Sequence, residues 1–276
     1  MESKIKLSLS IVLYNHSYQI ISGLVENVLQ IPAQIKLFII DNSESDKISN
    51  HIQDSRIEYI FNNKNLGYGK AHNKALAIAV SEFDYHLVLN PDIEFEPGSI
   101  MKMLEYLEKN LNIGLLMPKV LYEDKQIQYL CKMLPTPFDL IMRRFIPGFL
   151  KSIFENRLQQ YELKHKNYDQ VMEVPNLSGC FMLMRCSALK SVGFFDERFF
   201  MYLEDTDLSR RINEYYKTIY YPEVSIIHHF EKGSYKSFKL LKYHILSAFK
   251  YFGKYGWYFD TVRDTINSTM KGETIK

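Results

Sequence analysis

From its first residues the chain alternates short apolar runs with helical stripes, and no other feature constrains its fold as tightly. LSLSIVLY (7–14) reads as a buried strand, and residues 17–30 as an amphipathic helix with Ile20, Ile21, Leu24 and Val28 on one face. IKLFII (35–40) is a second strand, closed by the turn Asp41-Asn42-Ser43; a short helix near 45–53 leads to a third, RIEYIF (56–61). Asn65-Leu66-Gly67-Tyr68-Gly69 then opens an alanine-rich helix over 70–80, and YHLVL (85–89) is the next strand. Strands separated by helices build βαβ units. The expected fold class is therefore α/β, a mostly parallel central sheet with helices on both faces.

Such a sheet says where to look for chemistry, because ligands bind outside the carboxyl ends of its strands. Three polar clusters fall at such ends: Tyr14-Asn15, Asp41-Asn42-Ser43 and Asn90-Pro91-Asp92. Each is also good turn and capping chemistry, so position alone leaves a structural and a ligand role open. No GxGxxG follows the first strand and no GxxxxGK(S/T) occurs, which argues against a nicotinamide enzyme and a Walker-type ATPase. Gly67 and Gly69 stand at a strand-to-helix turn, where glycine lets another backbone approach closely.

A second constellation lies at residues 176–216. Ser178-Gly179 precede a strand over 180–184; a short helix, then Gly193-Phe194-Phe195-Asp196, then Glu204-Asp205-Thr206-Asp207 open an amphipathic helix. Its apolar face is Leu208, Ile212 and either Tyr215 or Tyr216. Capping and the helix dipole explain one acid there better than three. Like charges this close raise one another's pKa, an arrangement more easily tolerated where a proton must move. Arg210 and Arg211 follow by about one turn, placed for a phosphate or for a salt bridge to Glu204 or Asp207. A strand over 223–227 ends at His228.

Composition removes several classes. The 276 residues are 24% charged and 46% apolar, ordinary for a globular enzyme, and a net charge of +2 gives no sign of nucleic-acid binding. Cys131, Cys180 and Cys186 are too few and too irregular for a disulfide framework or a zinc site, and fit a reducing compartment. The apolar part of the N-terminus is too short for a signal peptide, and no run approaches the roughly 20 apolar residues of a membrane span. The expected location is the cytoplasm, with contact to a membrane surface left open.

The ordered pieces resemble family 2 glycosyltransferases of the GT-A fold, and within them the bacterial rhamnosyltransferase-like branch. The matching residues are Ile11-Val12-Leu13-Tyr14-Asn15, Asp41-Asn42-Ser43, Asn65 to Gly69 with Asn73, and Leu89-Asn90-Pro91-Asp92. They continue with Leu177-Ser178-Gly179, Gly193 to Glu197, Glu204 to Leu208, and His228 before Gly233-Ser234. The resemblance implies a GT-A domain over 1–235: a nucleotide-sugar half at 1–125, an excursion at 131–172 and an acceptor half at 173–235, followed by a C-terminal extension at 236–276. It implies an inverting enzyme in surface polysaccharide synthesis that moves one sugar from a nucleotide donor to a glycan acceptor.

The resemblance also assigns roles. Asp205 is the acceptor-side base, with Glu204 beside it; Asp41 meets the donor's base, with Tyr14 and Asn15 lining that pocket. Asn42, Gly67, Asn73, Asn90 and Asp92 complete the donor side. A diphosphate leaving group calls for Mg²⁺ or Mn²⁺ on oxygen ligands. The usual Asp-x-Asp is Asn90-Pro91-Asp92 here, so Asp92 is the charged ligand and His228 a further one. His16 sits beside the donor pocket but equally begins the first helix. The branch implies dTDP-rhamnose as donor, with UDP-hexoses or UDP-galactofuranose as alternatives. A non-catalytic sugar- or membrane-binding module is the rival class, against which the acids at 92 and 205 are both present. A processive synthase is disfavoured, since no Gln-x-x-Arg-Trp occurs.

Two stretches lie outside the α/β rhythm. LPTPFDLIMRRFIPGFLKSIFENRL (134–158) mixes apolar residues with Arg143, Arg144, Lys151 and Arg157, and suits either a packed cover for the acceptor cleft or an interfacial segment. From Glu231 to Lys276 there are eight lysines and one arginine against four acids, a net charge of +5. That tail is helical in period through Phe238, Leu241, Ile245, Phe249 and Phe252. The rings of Phe238, Tyr243, Phe249, Tyr251, Phe252, Trp257 and Phe259 are candidates for a membrane surface, in keeping with the polyprenyl-diphosphate-linked acceptor the resemblance implies.

Overall fold

The computed structural model describes residues 5–145, 151–229 and 238–272. Its first part follows the alternation read from the sequence: β1 (Lys6–Leu13), α1 (Tyr18–Leu29), β2 (Gln34–Asp41), β3 (Ile57–Phe61), α2 (Tyr68–Glu82) and β4 (Tyr85–Leu89). β3, β2, β1 and β4 lie side by side and parallel, with Leu13 opposite Asp41 and Ile11 opposite Leu89, so their carboxyl ends share one edge. Leu7, Leu9, Ile11 and Leu13 fill the core on one face of β1. On the other face Ser8 and Ser10 are buried beneath α2 and satisfied by histidines. Ser8 Oγ meets His86 Nδ1 at 2.8 Å, and Ser10 Oγ meets His86 Nε2 and His72 Nδ1, each at 2.7 Å.

Two details differ from expectation. The buried face of α1 is Ile21, Leu24, Val25 and Val28, while Ile20 points to solvent. The helix expected near 45–53 is a single 3₁₀ turn, Ser49–His51. Asp46 accepts the N–H groups of Ile48 at 3.1 Å and Ser49 at 3.0 Å, so side-chain bonding to the backbone replaces helix propagation there.

The chain continues through β5 (Ile93–Glu94), α3 (Pro97–Lys109), β6 (Ile113–Leu121), α4 (Pro137–Phe145), α5 (Lys151–Tyr161), β7 (Met172–Glu173) and β8 (Phe181–Arg185). It ends with α6 (Cys186–Val192), α7 (Glu204–Asn213), β9 (Lys217–His228), α8 (Phe238–Tyr255) and α9 (Thr261–Lys271). The sheet extends from β4 through β8, β6 and β9 to β5, with β7 also on β9. β8 runs antiparallel to β4 and β6, and β6 pairs parallel with β9. The architecture is a mixed α/β sheet whose parallel half carries the first polar clusters. β9 begins six residues before the expected strand at 223, because the sheet absorbs Pro222 in a register shift instead of ending there.

The two irregular stretches meet each other. Leu140 of α4, Tyr251 and Phe252 of α8, and Phe199 and Leu203 form a second buried cluster. Tyr251 and Phe252 are therefore core residues, which corrects their assignment to a membrane-facing set; of the rest of the stripe Phe238, Ile245 and Phe249 are exposed and Leu241 is half-buried. Gly233-Ser234, the domain boundary at 235 and the Ile146–Leu150 part of the excursion lie outside the described residues.

Candidate active site

β4 delivers Asn90-Pro91-Asp92 to the shared carboxyl edge, where Asn90 N–H donates to the Cys180 carbonyl at 2.9 Å. The short pairing of β5 with β9 sets Ile93 opposite His228, and the His229 N–H donates to the Asp92 carbonyl at 3.0 Å. This brings Asp92 Oδ1 to 3.4 Å from His228 Nε2. Both atoms are buried, although the Asp92 side chain as a whole is 37% exposed.

The second constellation comes to the same place. Tyr202 (φ 71°) and Leu203 (φ 65°) hold consecutive left-handed conformations, turning the chain sharply into α7. Asp205 Oδ2 accepts the Gly179 N–H at 2.9 Å and Oδ1 accepts the Thr206 N–H at 2.8 Å, so two backbone donors fix the carboxylate. A Cβ on Gly179 would stand 3.3 Å from Asp205 Cβ, and the close approach leaves little room for a side chain.

Tyr68 joins the two halves. Its hydroxyl donates to the Gly179 carbonyl at 2.6 Å. Burial first, then the neighbouring Glu204, Cys180, Asp205 and Asp92 groups, hold its proton well above the ordinary range. Burial likewise pushes the Cys180 thiol up to about 12, reinforced by Asp92 and Asp205. Two distant segments thus meet at Gly179-Cys180, one carrying Asp92 and the other Glu204 and Asp205. Glu204 is itself buried, its Oε2 has no hydrogen-bond partner, and burial together with the Asp205 charge lifts its carboxyl well above the usual range. Tyr68 escaped the sequence reading; an aromatic between two glycines at a strand-to-helix turn was the available signal.

The donor-side candidates line the carboxyl edge. Asn15 is left-handed (φ 59°) and its N–H donates to Ser43 Oγ at 2.8 Å, joining the clusters after β1 and β2. Tyr14 is largely exposed beside it. Asp41 is buried, its oxygens accepting the Ser43 N–H and the Tyr59 hydroxyl, each at 2.8 Å. Burial holds the His16 imidazole below its ordinary value, against the opposing charges of Asp92 and Asp41. Asn42 donates to the Gly67 carbonyl at 2.9 Å. Gly67 is left-handed (φ 86°), and a Cβ there would overlap the Phe200 carbonyl oxygen that accepts the Tyr68 N–H at 2.9 Å. Asn73 is otherwise engaged: its amide donates to the Phe195 carbonyl at 2.9 Å and accepts the Phe195 N–H at 3.1 Å, pinning the 193–196 loop to α2.

The basic residues of α7 are taken up by the protein. Arg211 pairs with Asp207 at 2.8 Å, one of the expected bridges, whereas Arg210 pairs with Asp260 in place of Glu204 or Asp207. Leu208 and Ile212 are buried as expected, and Tyr216 rather than exposed Tyr215 packs beside them.

Among the described residues no group of three or more His, Cys, Asp or Glu side chains is placed to hold a metal ion. Asp92 and His228 remain a fitting pair: 3.4 Å is long for a hydrogen bond and near the roughly 3 Å between neighbouring ligands of an ion with bonds of about 2.1 Å. Diphosphate oxygens and water would supply the other positions.

A mixed α/β sheet with its polar residues gathered at the carboxyl edge is the architecture of GT-A nucleotide-sugar transferases. Solved structures agree: GalNAc-T7 with UDP, GalNAc and Mn²⁺ superposes with a TM-score of 0.61 at 14% identity, covering 93% of this chain and 51% of that one. The mannosyltransferase PcManGT from Pyrobaculum calidifontis, in complex with GDP-Man and Mn²⁺, gives 0.58 at 13% identity over 90% of this chain and 65% of that one. Residues 8–193 match the family described as Glycosyl transferase family 2, and the chain belongs to that family. It is 30% identical over 177 residues to the N-acetylglucosaminyl-diphospho-decaprenol L-rhamnosyltransferase of Mycobacterium tuberculosis (strain CDC 1551 / Oshkosh), covering 60% of this chain and spanning 56% of that protein. It is 27% identical over 257 residues to the rhamnosyltransferase WbbL of Escherichia coli (strain K12), over 88% of this chain and 92% of that one.

Proposed function

We propose that the chain is an inverting, divalent-cation-dependent glycosyltransferase that moves L-rhamnose from dTDP-rhamnose to a polyprenyl-diphosphate-linked glycan at the cytoplasmic face of a membrane. The observation that carries the reading is the meeting of the segments that bear Asp92 and Asp205 at Gly179-Cys180, where Asp205 Oδ2 accepts the Gly179 N–H and Asn90, two residues before Asp92, donates to the Cys180 carbonyl, each at 2.9 Å. A single displacement at an anomeric carbon calls for a base on the acceptor hydroxyl and neutralisation of the leaving diphosphate, and Asp205 and Asp92 suit those two tasks.

In that displacement the acceptor hydroxyl oxygen attacks the anomeric carbon from the face opposite the diphosphate. The bond from that carbon to the diphosphate oxygen breaks, its electron pair leaves with the nucleoside diphosphate, and the hydroxyl proton passes to Asp205. Gly179 and Thr206 donate to one oxygen each, so the carboxylate is aimed while a lone pair on either oxygen stays available. Burial and the Asp205 charge raise the Glu204 carboxyl well above its usual range, which favours its neutral form beside the base. Asp92 and His228 would hold the divalent cation, which when bound neutralises charge on the leaving diphosphate. Tyr14, Asn15, Asp41, Asn42, Gly67 and Asn90 shape the donor side, and Asn73 supports it through the 193–196 loop.

Membrane contact belongs to the same proposal. Among the described residues no helix is long and apolar enough to cross a membrane. Phe238, Ile245 and Phe249 of α8 and the loop Trp257-Tyr258-Phe259 are nevertheless exposed, with Lys239 and Lys242 exposed on the same helix. Apolar rings beside cations suit an anionic lipid surface. Rhamnose as the sugar and a polyprenyl-linked acceptor are supported by the names of the two relatives.

The test is release of free nucleoside diphosphate by the full-length protein with Mg²⁺ or Mn²⁺ and a polyprenyl-diphosphate-linked acceptor, across dTDP-rhamnose, UDP-hexoses and UDP-galactofuranose. Release is expected to be fastest from dTDP-rhamnose. A UDP donor in first place would overturn the rhamnose assignment, and folded protein that turns over no donor would overturn the enzyme reading.

A further inference from the structure

His228 does not stand alone behind Asp92. Gln128, buried on the segment that follows β6, is bound to it twice. The Gln128 Nε2 group donates to the His228 carbonyl at 2.8 Å and to the Leu121 carbonyl at 3.2 Å. Carbonyl oxygens only accept, so these two bonds fix which end of the amide is nitrogen. Its Oε1 therefore faces His228 Nδ1, at 3.0 Å, as an acceptor, and Nδ1 must carry the hydrogen. In the neutral ring the lone pair then lies on Nε2, the nitrogen 3.4 Å from Asp92 Oδ1.

We infer that Gln128 is a positioning residue for the divalent cation: it holds His228 in the Nδ1–H tautomer with its ring turned so that the Nε2 lone pair stands beside the Asp92 carboxylate. The inference rests on the reading of Asp92 and His228 as ligands, and it adds the residue that makes His228 competent to be one. A ligating histidine commonly donates its other ring N–H to such a partner, and loss of the partner costs roughly 10- to 100-fold in metal affinity.

Two measurements on the full chain test it. Mn²⁺ binding in the presence of dTDP is titrated by electron paramagnetic resonance for wild type, Gln128→Leu, Gln128→Glu and His228→Ala. The tautomer is read by long-range ¹⁵N NMR on histidine-labelled protein; of the 8 histidines, the one whose signals vanish in His228→Ala is identified. Wild type is expected to show the Nδ1–H pattern at His228, and Gln128→Leu to lose it with a Mn²⁺ affinity lower by about 10- to 100-fold. Gln128→Glu keeps an acceptor at Nδ1 but loses both N–H donors, and is expected to stay within about threefold of wild type. A Gln128 that merely braces the two carbonyls would fail as badly in Glu as in Leu, and that result overturns the inference. So does an Nε2–H tautomer at His228 in wild type. Weak Mn²⁺ binding in His228→Ala with normal binding in Gln128→Leu removes Gln128 alone, whereas normal binding in His228→Ala removes the ligand reading and the inference together.

Discussion

Asp260 receives both terminal nitrogens of Arg210, at 2.6 and 2.7 Å, and each side chain is 3% exposed. The pair joins the N-cap of α9 to the middle of α7, the helix whose first turn carries Glu204 and Asp205. Around it the Arg210 guanidinium lies 3.9 Å from the Tyr255 ring centre, and the Tyr255 hydroxyl and Lys254 both reach Asp207, at 2.7 and 2.5 Å. Ser247 Oγ donates to the Met201 carbonyl at 2.8 Å, so α8 also holds the turn that leads into α7. The C-terminal helices thus brace the candidate base from behind.

Removing one partner of this pair should cost far more than removing a surface ion pair. Asp260→Ala leaves the Arg210 charge buried and uncompensated, a change worth about 3–5 kcal/mol of stability. Replacing both, as Arg210→Met with Asp260→Leu, should recover part of that loss, because the Arg210 charge goes too, while the α9 N-cap to the Arg263 N–H is still missing. Urea unfolding of the three proteins checks it; a single variant within about 1 kcal/mol of wild type would place the pair with ordinary surface bridges.

Glu204 should make stability depend on pH in a defined direction. Burial and the Asp205 charge raise its carboxyl well above the ordinary 4.5, so the folded protein keeps a proton that the unfolded chain releases above that value. The stability tied to this proton is complete below pH 4.5 and is lost as pH rises toward the folded value. Gln cannot ionise. Glu204→Gln should therefore gain Tm relative to wild type as pH is raised from 4.5 upward. A difference in Tm that stays constant across the range would mean that Glu204 is ionised in the fold.

What could be read in the sequence was what local pattern encodes. The strand ends that carry Asp41 and Asp92 follow from apolar runs stopping at polar clusters, and both lie where the parallel half of the sheet places them. Partners far apart in sequence left no such mark. Nothing near Arg210 announces Asp260, 50 residues on, and two adjacent acids on its own helix looked like better partners. Ile20 and Val25 fit the α1 stripe almost equally well by period, and packing chose Val25. The apolar period of α8 was legible, but not which part of it would meet Leu140 and Phe199. Periodicity finds a stripe, and only tertiary structure says what covers it.

Asp205 offers the most direct test of the proposed chemistry. In Asp205→Asn the amide oxygen can still accept the Gly179 N–H, while the amide nitrogen replaces the oxygen that accepted the Thr206 N–H, so one of the two backbone bonds is kept. The amide cannot take up the acceptor's proton. Turnover should fall by about 10²- to 10⁴-fold while donor affinity stays near that of wild type. Steady-state rates of nucleoside diphosphate release and calorimetric donor binding measure the two separately. Turnover within a few-fold of wild type in a folded variant would exclude Asp205 as the base.

The aromatic residues of the C-terminal helices should separate into two classes. Tyr251 and Phe252 are buried against Leu140, Phe199 and Leu203, so truncating either to Ala should cost about 3–5 kcal/mol of stability. Tyr258 and Phe259 are 81% and 93% exposed, and Phe249 is 60% exposed, so their rings gain little from folding. If they enter the headgroup region of a membrane, partial burial of each ring contributes about 1 kcal/mol, and losing three weakens binding roughly a hundredfold. The triple variant Phe249→Ser, Tyr258→Ser, Phe259→Ser should therefore unfold like wild type yet fail to sediment with anionic vesicles. Attraction of the nearby lysines to anionic lipid, about 1 kcal/mol each, should make wild-type binding salt-sensitive and weaker on neutral vesicles. Equal sedimentation of wild type and the triple variant would show that these rings face something other than lipid.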